Sequence, residues 1–109
     1  MASISLTYSQ SQGDSLRIIW EDKTQTDSVR FSALENYFSL NQRVQADSAL
    51  LALEYYYELA KEKNALRKIY GALVSQANIY RDKGQLEKAK KLYIDASVLA
   101  EQLNNPVLK

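Results

Sequence analysis

An all-α fold built from antiparallel helix hairpins is predicted by three observations. Apolar residues recur at spacings of three and four from residue 14 onward, the period of an amphipathic helix. Glycine occurs three times and proline once, so little interrupts the helices. Two stretches of the chain also align with each other at an offset of 40 residues.

The elements follow in order. A short amphipathic helix over 14–22 carries Leu16, Ile19 and Trp20, and Thr24, Gln25, Thr26 and Asp27 form its loop. Asp27 is expected to cap a second helix bearing Leu34, Tyr37, Phe38 and, at its end, Val44. Asp47 is expected to cap a third, bearing Leu50, Leu53, Tyr56 or Tyr57, and Ala60. A carboxylate at that place accepts from unpaired first-turn amides and favours the positive end of the helix dipole. Asn64 closes the third helix. The fourth covers 66–83, with Leu66, Ile69, Tyr70, Leu73, Ala77 and Tyr80 on one face, and Gly84 stops it in the left-handed conformation. The fifth covers 86–103, with Leu86, Ala89, Leu92, Tyr93, Ala96, Leu99, Ala100 and Leu103 as its stripe. Asn104 and Asn105 end it, and Pro106 opens a further first turn over 106–109. The only β-leaning run, over 4–8, is too short to compete.

Residues 1–13 read as a flexible arm. Two origins stay open for it, a plain polar arm or the remnant of a signal peptide. Residues 14–109 form one helical domain. Hydrophobic residues make up 46% and charged residues 25%, the balance of a folded chain. A net charge of +1 argues against a nucleic-acid partner, which calls for a basic excess. No run of about 18 apolar residues is present, so direct membrane insertion is not expected. This chain has no cysteine and no histidine, which removes a thiolate nucleophile, an imidazole base and Cys/His zinc ligation. The carboxylate pairs Glu21/Asp22 and Glu58/Glu62 read as solvated surface, and no glycine-rich phosphate loop exists. The expectation is a non-enzymatic chain with no metal and no cofactor.

The internal repeat sets Asp47, Ser48 and Ala49 over Glu87, Lys88 and Ala89, Leu59-Ala60 over Leu99-Ala100, and Asn64 over Asn104. The units span about 28–64 and 66–105. The second contains YGALVSQANIYRDKGQLEKAKKLYIDA from Tyr70. It resembles a tetratricopeptide (TPR) repeat, with Leu73, Ala77 and Tyr80 along its first helix, Gly84 in the turn, and Ala89, Tyr93 and Ala96 along its second. In such a repeat small residues let helices approach closely and aromatic residues fill the space beside them. The first unit departs from the pattern: Tyr37 stands where a small residue is usual, Val44 where the turn glycine would be, and Tyr56 at the last small position. The resemblance implies a TPR-like α-solenoid of about two repeats plus a short N-terminal helix.

The stretch DSLRIIWEDKTQTDSVRFSAL, residues 14–34, resembles the start of the TPR sensor region of bacterial signalling proteins of histidine kinase, nucleotide cyclase or transcription-regulator type. Trp20, Asp22, Asp27, Arg30, Ala33 and Leu34 carry that likeness. It implies a sensory or scaffold fragment of a larger bacterial protein, in a periplasmic or other extracytoplasmic setting in preference to the cytoplasm. The expected partner is a protein or peptide. The alternative is self-association without a separate ligand, through a terminal hairpin whose apolar face is left open.

The resemblance places the ligand groove along the first helix of each unit. In the second unit this gives Gly71, Val74, Asn78, Arg81 and Asp82, and in the first Phe31, Leu34, Phe38, Asn41 and Gln42. An asparagine at the place of Asn78 bonds the peptide in repeats that clamp a peptide C-terminus, with Arg81 and Arg67 here as charge; Val74 stands where such clamps often have a basic residue. Glu87-Lys88-Ala89-Lys90-Lys91 reads as a solvated helix face. Tyr55, Tyr56 and Tyr57 cannot all face one core at 100° per residue, so at least one is expected at the surface or at a contact.

Overall fold

The structure, a computed structural model, describes residues 13–41 and 45–104. These residues hold five helices and no strand. The first, α1, covers 13–21, followed by α2 (Asp27–Asn41), α3 (Ala46–Glu62), α4 (Leu66–Asp82) and α5 (Leu86–Asn104). Residues 1–12 of the expected arm, including the 4–8 run, lie outside the described residues, as do Gln42, Val44, Asn105 and the further helix start at 106–109, whereas Gly13 of the expected arm opens α1.

Turn chemistry sets the helix ends. Asp22 Oδ1 accepts from the Thr24 amide at 2.9 Å and from the Thr24 hydroxyl at 2.6 Å, an Asx turn that reverses the chain after α1. Those bonds hold the Asp22 carboxyl below the ordinary carboxylate range. Thr26, not Asp27, caps α2: its hydroxyl accepts from the Val29 amide at 3.3 Å and its carbonyl from the Arg30 amide at 3.0 Å. Gln45 occupies the cap of α3 without a side-chain bond, and Asp47 is the second residue of the helix. Both aspartates thus sit inside the first turn. There they still favour the helix dipole but are displaced from the cap geometry.

The α3–α4 and α4–α5 turns are the same motif. Asn64 (φ 56°) and Gly84 (φ 82°) take the left-handed conformation. Ala65 donates to the Ala60 carbonyl and Gln85 to the Tyr80 carbonyl, both at 2.8 Å. Asn64 donates to Lys61 at 3.2 Å and Gly84 to Arg81 at 2.9 Å. These paired bonds are the Schellman closure. Helices therefore begin at residues 46, 66 and 86, one every 20 residues, so the 40-residue repeat is two passes of one helix–turn step.

Packing runs between sequence neighbours: α2 on α3, α3 on α4, α4 on α5. The described body measures 54 × 38 × 15 Å, a slab rather than a sphere. One core cluster joins Trp20, Phe31, Leu34, Tyr37, Tyr56 and Leu59 with Ala72 from α4; a second joins Ala49, Leu53 and Ile79. The buried face of α4 is rotated from the expected stripe. Ala72 and Ile79 are buried, whereas Leu66 and Tyr70 are exposed, because α4 has α3 on one flank and α5 on the other. On α5 only Ala89 and Ala96 are fully buried, and Leu86 is exposed, because among the described elements α5 packs on α4 alone. The tyrosine run spreads around α3. Tyr56 enters the core, Tyr55 is half-buried 6.4 Å from the Trp20 ring, and Tyr57 is half-buried under Lys61.

Candidate functional site

The side of α4 bearing Gly71, Val74 and Asn78 is partly open to solvent, and Arg81 and Asp82 at its end are exposed. Tyr93 of α5 ties this side together. Its hydroxyl donates to Asn78 Oδ1 and accepts from Arg81 at 3.1 Å. Arg81 also pairs with Asp82 at 3.4 Å, an exposed contact of small energetic weight. Guanidinium groups only donate, so Arg81 forces the Tyr93 proton toward Asn78. The Asn78 oxygen is thereby engaged, which leaves its NH2 group as the side-chain donor.

Of the expected repeat-packing positions of the second unit, Leu73, Ala77, Ala89 and Ala96 are buried, Tyr80 and Tyr93 are half-buried, and Gly84 takes the left-handed conformation in the α4–α5 turn. The first-unit groove positions separate into two groups. Phe31 and Leu34 are buried in the core and cannot line a groove, because α1 folds back and lays Trp20 in the same cluster. Phe38 is half-buried with its ring edge-on to Tyr56 at 5.6 Å, and Asn41 donates to its own helix at the Tyr37 carbonyl, 2.8 Å. Phe38 and Asn41 are thus occupied on α2, while Val74, Asn78, Arg81 and Asp82 lie along one side of α4 from its middle to its end. Arg67 is exposed at the opposite end of that helix.

Two polar junctions escaped sequence reasoning. Arg30 is only 5% exposed; it donates to the Trp20 carbonyl at 2.8 Å and to the Tyr55 hydroxyl at 3.3 Å, joining α1, α2 and α3. Trp20 packs edge-on against Tyr37 at 4.9 Å beside it. At the second junction, the Tyr56 hydroxyl donates to Glu35 at 2.6 Å and Lys68 reaches the same oxygen at 3.3 Å, joining α2, α3 and α4. Lys68 also lies 4.7 Å over the Phe31 ring. The signal available in sequence was a basic residue one turn from a helix start beside aromatics, a pattern too common to single out.

The largest concavity described lies elsewhere. A cleft of about 750 Å³ runs between α3 and α5, with Leu73, Gln76 and Tyr80 of α4 as its floor. Residues two apart on a helix point about 200° apart, so Val74 and Asn78 face away from Gln76 and Tyr80. A hollow of about 340 Å³ lies on α5, bordered by Leu86, Tyr93 and Ile94. Among the described residues no helix is long and apolar enough to cross a membrane, and no group of three or more acidic side chains could hold a metal ion. Compared with known proteins, the chain matches no family model, no curated protein and no solved structure.

Proposed function

We propose that this chain is a peptide- or protein-binding module of the tetratricopeptide type, with the binding face on the side of α4 that carries Val74, Asn78, Arg81 and Asp82. The observation that carries the proposal is the repeated step: two successive hairpins closed by the same Schellman turn, at 20-residue spacing. Arrays of that kind present one side of alternate helices as a continuous surface. On this surface the Asn78–Tyr93–Arg81 network holds an amide NH2 and a guanidinium in fixed positions, the donors a peptide carbonyl or carboxylate needs. Fixed donors lose less side-chain entropy on binding than free ones. The wider reading, a sensory or scaffold fragment of a larger bacterial signalling protein, rests on the residue likeness over 14–34 alone. The test begins with selection of a binder from a random peptide display library on the immobilised chain. Asn78→Ala and Arg81→Glu should each weaken that binder at least tenfold, with helical content unchanged. Equal affinity in both variants would remove the assignment.

Self-association is the second reading, favoured by one observation. Leu86, Ile94 and Val98 on α5 are 63%, 53% and 54% exposed, large apolar groups on a helix with no other described element packed outside it. Sedimentation velocity over a hundredfold concentration range decides the matter. A dimer abolished by Ile94→Asp supports it, and a concentration-independent monomer ends it.

A further inference from the structure

We propose that the cleft between α3 and α5 is a second docking site, on the opposite side of α4 from the peptide face, and that its occupant is a basic amphipathic helix of a partner protein. The cleft exists because α3 and α5 both pack on α4 and not on each other. Its apolar lining comes from all three helices: Leu50, Leu51 and Tyr57 of α3, Leu73 and Tyr80 of α4, and Leu92 of α5. A helix suits this shape better than an extended strand. Both walls are helices running in the same direction, and their side chains at three- and four-residue spacing form ridges that a third helix can interdigitate. Asp47 to Glu58 on the α3 wall covers about 17 Å at 1.5 Å per residue, which matches roughly three turns of an incoming helix.

Charge selects the occupant. The acidic groups of the lining are Asp47, Glu54, Glu58 and Asp95; the basic ones are Lys88 and Lys91, so the lining carries a net −2. The existing contacts leave the middle of the acidic wall uncompensated. Asp47 is already paired with Lys83 at 2.6 Å, at one end of the cleft. Lys88 sits 5.3 Å over the Tyr80 ring. Glu58 has only the distant Lys61 at 4.0 Å, in an exposed pair, and Glu54 has no cation within ion-pair distance among the described residues. An apolar floor beside one unpaired carboxylate, Glu54, and one turn on a second held only by an exposed 4.0 Å pair, Glu58, calls for a helix with a leucine-like ridge and lysine or arginine on the flank facing α3.

The test uses two fluorescein-labelled helical peptides of fourteen residues with an identical leucine ridge, one flanked by lysines and the other by glutamates, titrated with the full chain. The lysine peptide should bind at least tenfold more tightly at low salt, with the advantage shrinking as salt rises. The double variant Glu54→Lys/Glu58→Lys, at two exposed positions that leave the fold intact, should invert the preference. Gln76→Trp, which fills the floor, should abolish binding of both peptides. Arg81→Ala, on the other face of α4, should change nothing, which separates this site from the one proposed above. Equal binding of the two peptides overturns the proposal, as does lysine-peptide binding that survives both cleft variants. If sedimentation shows a dimer that the Glu54/Glu58 reversal dissociates, the occupant is a second copy of the chain and the partner-helix proposal falls.

Discussion

At the scale of single residues, two buried polar contacts decide how the helices are fastened. Tyr56 is buried and its hydroxyl donates to Glu35. Burial pushes the phenol well above its ordinary value, and the bond to the Glu35 carboxylate pushes it further. Below pH 10 the folded and unfolded chains both keep this proton, and its contribution to stability is fully present. Above pH 10 the unfolded phenol ionises while the folded one does not, so stability falls until the raised folded value is passed. Tyr56→Phe should cost about 0.5–1.5 kcal/mol at pH 7, the net worth of one hydrogen bond. It should also remove part of the alkaline loss, so that the two urea midpoints converge between pH 10 and 11. Parallel curves over that range would contradict the assignment. The Lys68–Glu35 pair adds little, since the side chains are 39% and 41% exposed and solvent screens them. Arg30 is the other fastening. Arg30→Ala leaves the Trp20 carbonyl and the Tyr55 hydroxyl without their donor, at a cost of about 2 kcal/mol for charge-assisted bonds. Because the chain has one tryptophan, its emission reports the result directly. The maximum should shift to the red as α1 loosens, and Arg30→Lys should not restore it, because one ammonium cannot reproduce the guanidinium fork. Unchanged emission in the alanine variant would show that Trp20 holds α1 by packing alone.

At the scale of elements, the same substitution should have opposite signs at two glycines. Gly84 sits at φ 82° in the α4–α5 turn with nothing within 4 Å of where a Cβ would lie, so its side-chain space is free and its backbone is not. Gly84→Ala should cost about 1 kcal/mol, a fall in Tm of about 4–8 °C for a domain of this size. Gly84→Asn should cost less, since Asn64 already fills the equivalent place. Gly71 lies inside α4, also with open space around it. Gly71→Ala should raise stability by about 0.5–1 kcal/mol by reducing the freedom of the unfolded chain. Thermal melts of the variants check both signs, and a loss at both positions would mean that Gly71 is under a constraint not visible in its surroundings. The legibility of these elements in sequence follows the range of the forces involved. Asn64 and Gly84 were readable as stops because left-handed closure is a local property of the residue. The cap of α2 was misplaced by one residue, because Thr24, Thr26 and Asp27 all offer a side-chain oxygen and only the path of the loop chooses among them. Phe31 and Leu34 were placed in the groove by their register with the second unit, and register does not show what covers a face; α1 covers it. The α3–α5 cleft was invisible, since it depends on the distance between two helices that are not neighbours in sequence. Asn78 and Arg81 were nameable from sequence, but their coupling through Tyr93 was not, because it joins different helices.

At the scale of the whole molecule, neighbour-to-neighbour packing makes stability uneven. α3 and α4 are each held from two sides, and α3 buries Ala49, Ala52, Leu53, Tyr56, Leu59 and Ala60. Among the described residues α5 is held only by α4, and its fully buried side chains are Ala89 and Ala96, two of the smallest apolar ones, with Leu92, Tyr93 and Leu99 half-buried. At roughly 25 cal/mol per Å² of apolar surface removed from water, alanines contribute far less than the leucines and tyrosine of α3. An array whose units lean only on their neighbours opens from the less supported end. Native-state hydrogen exchange should therefore show amides in the middle of α5 exchanging at least tenfold faster than those in the middle of α3, a difference of about 1.4 kcal/mol in opening free energy. The gradient also separates the two readings of the uncovered face. If Leu86, Ile94 and Val98 are covered by a second copy, raising the protein concentration should slow exchange in α5 and leave α3 unchanged. If α5 is a free end, exchange should be independent of concentration at both places. Uniform protection across α3, α4 and α5 at every concentration would mean that the helices open as one cooperative unit, and would contradict the stepwise architecture from which the binding proposals start.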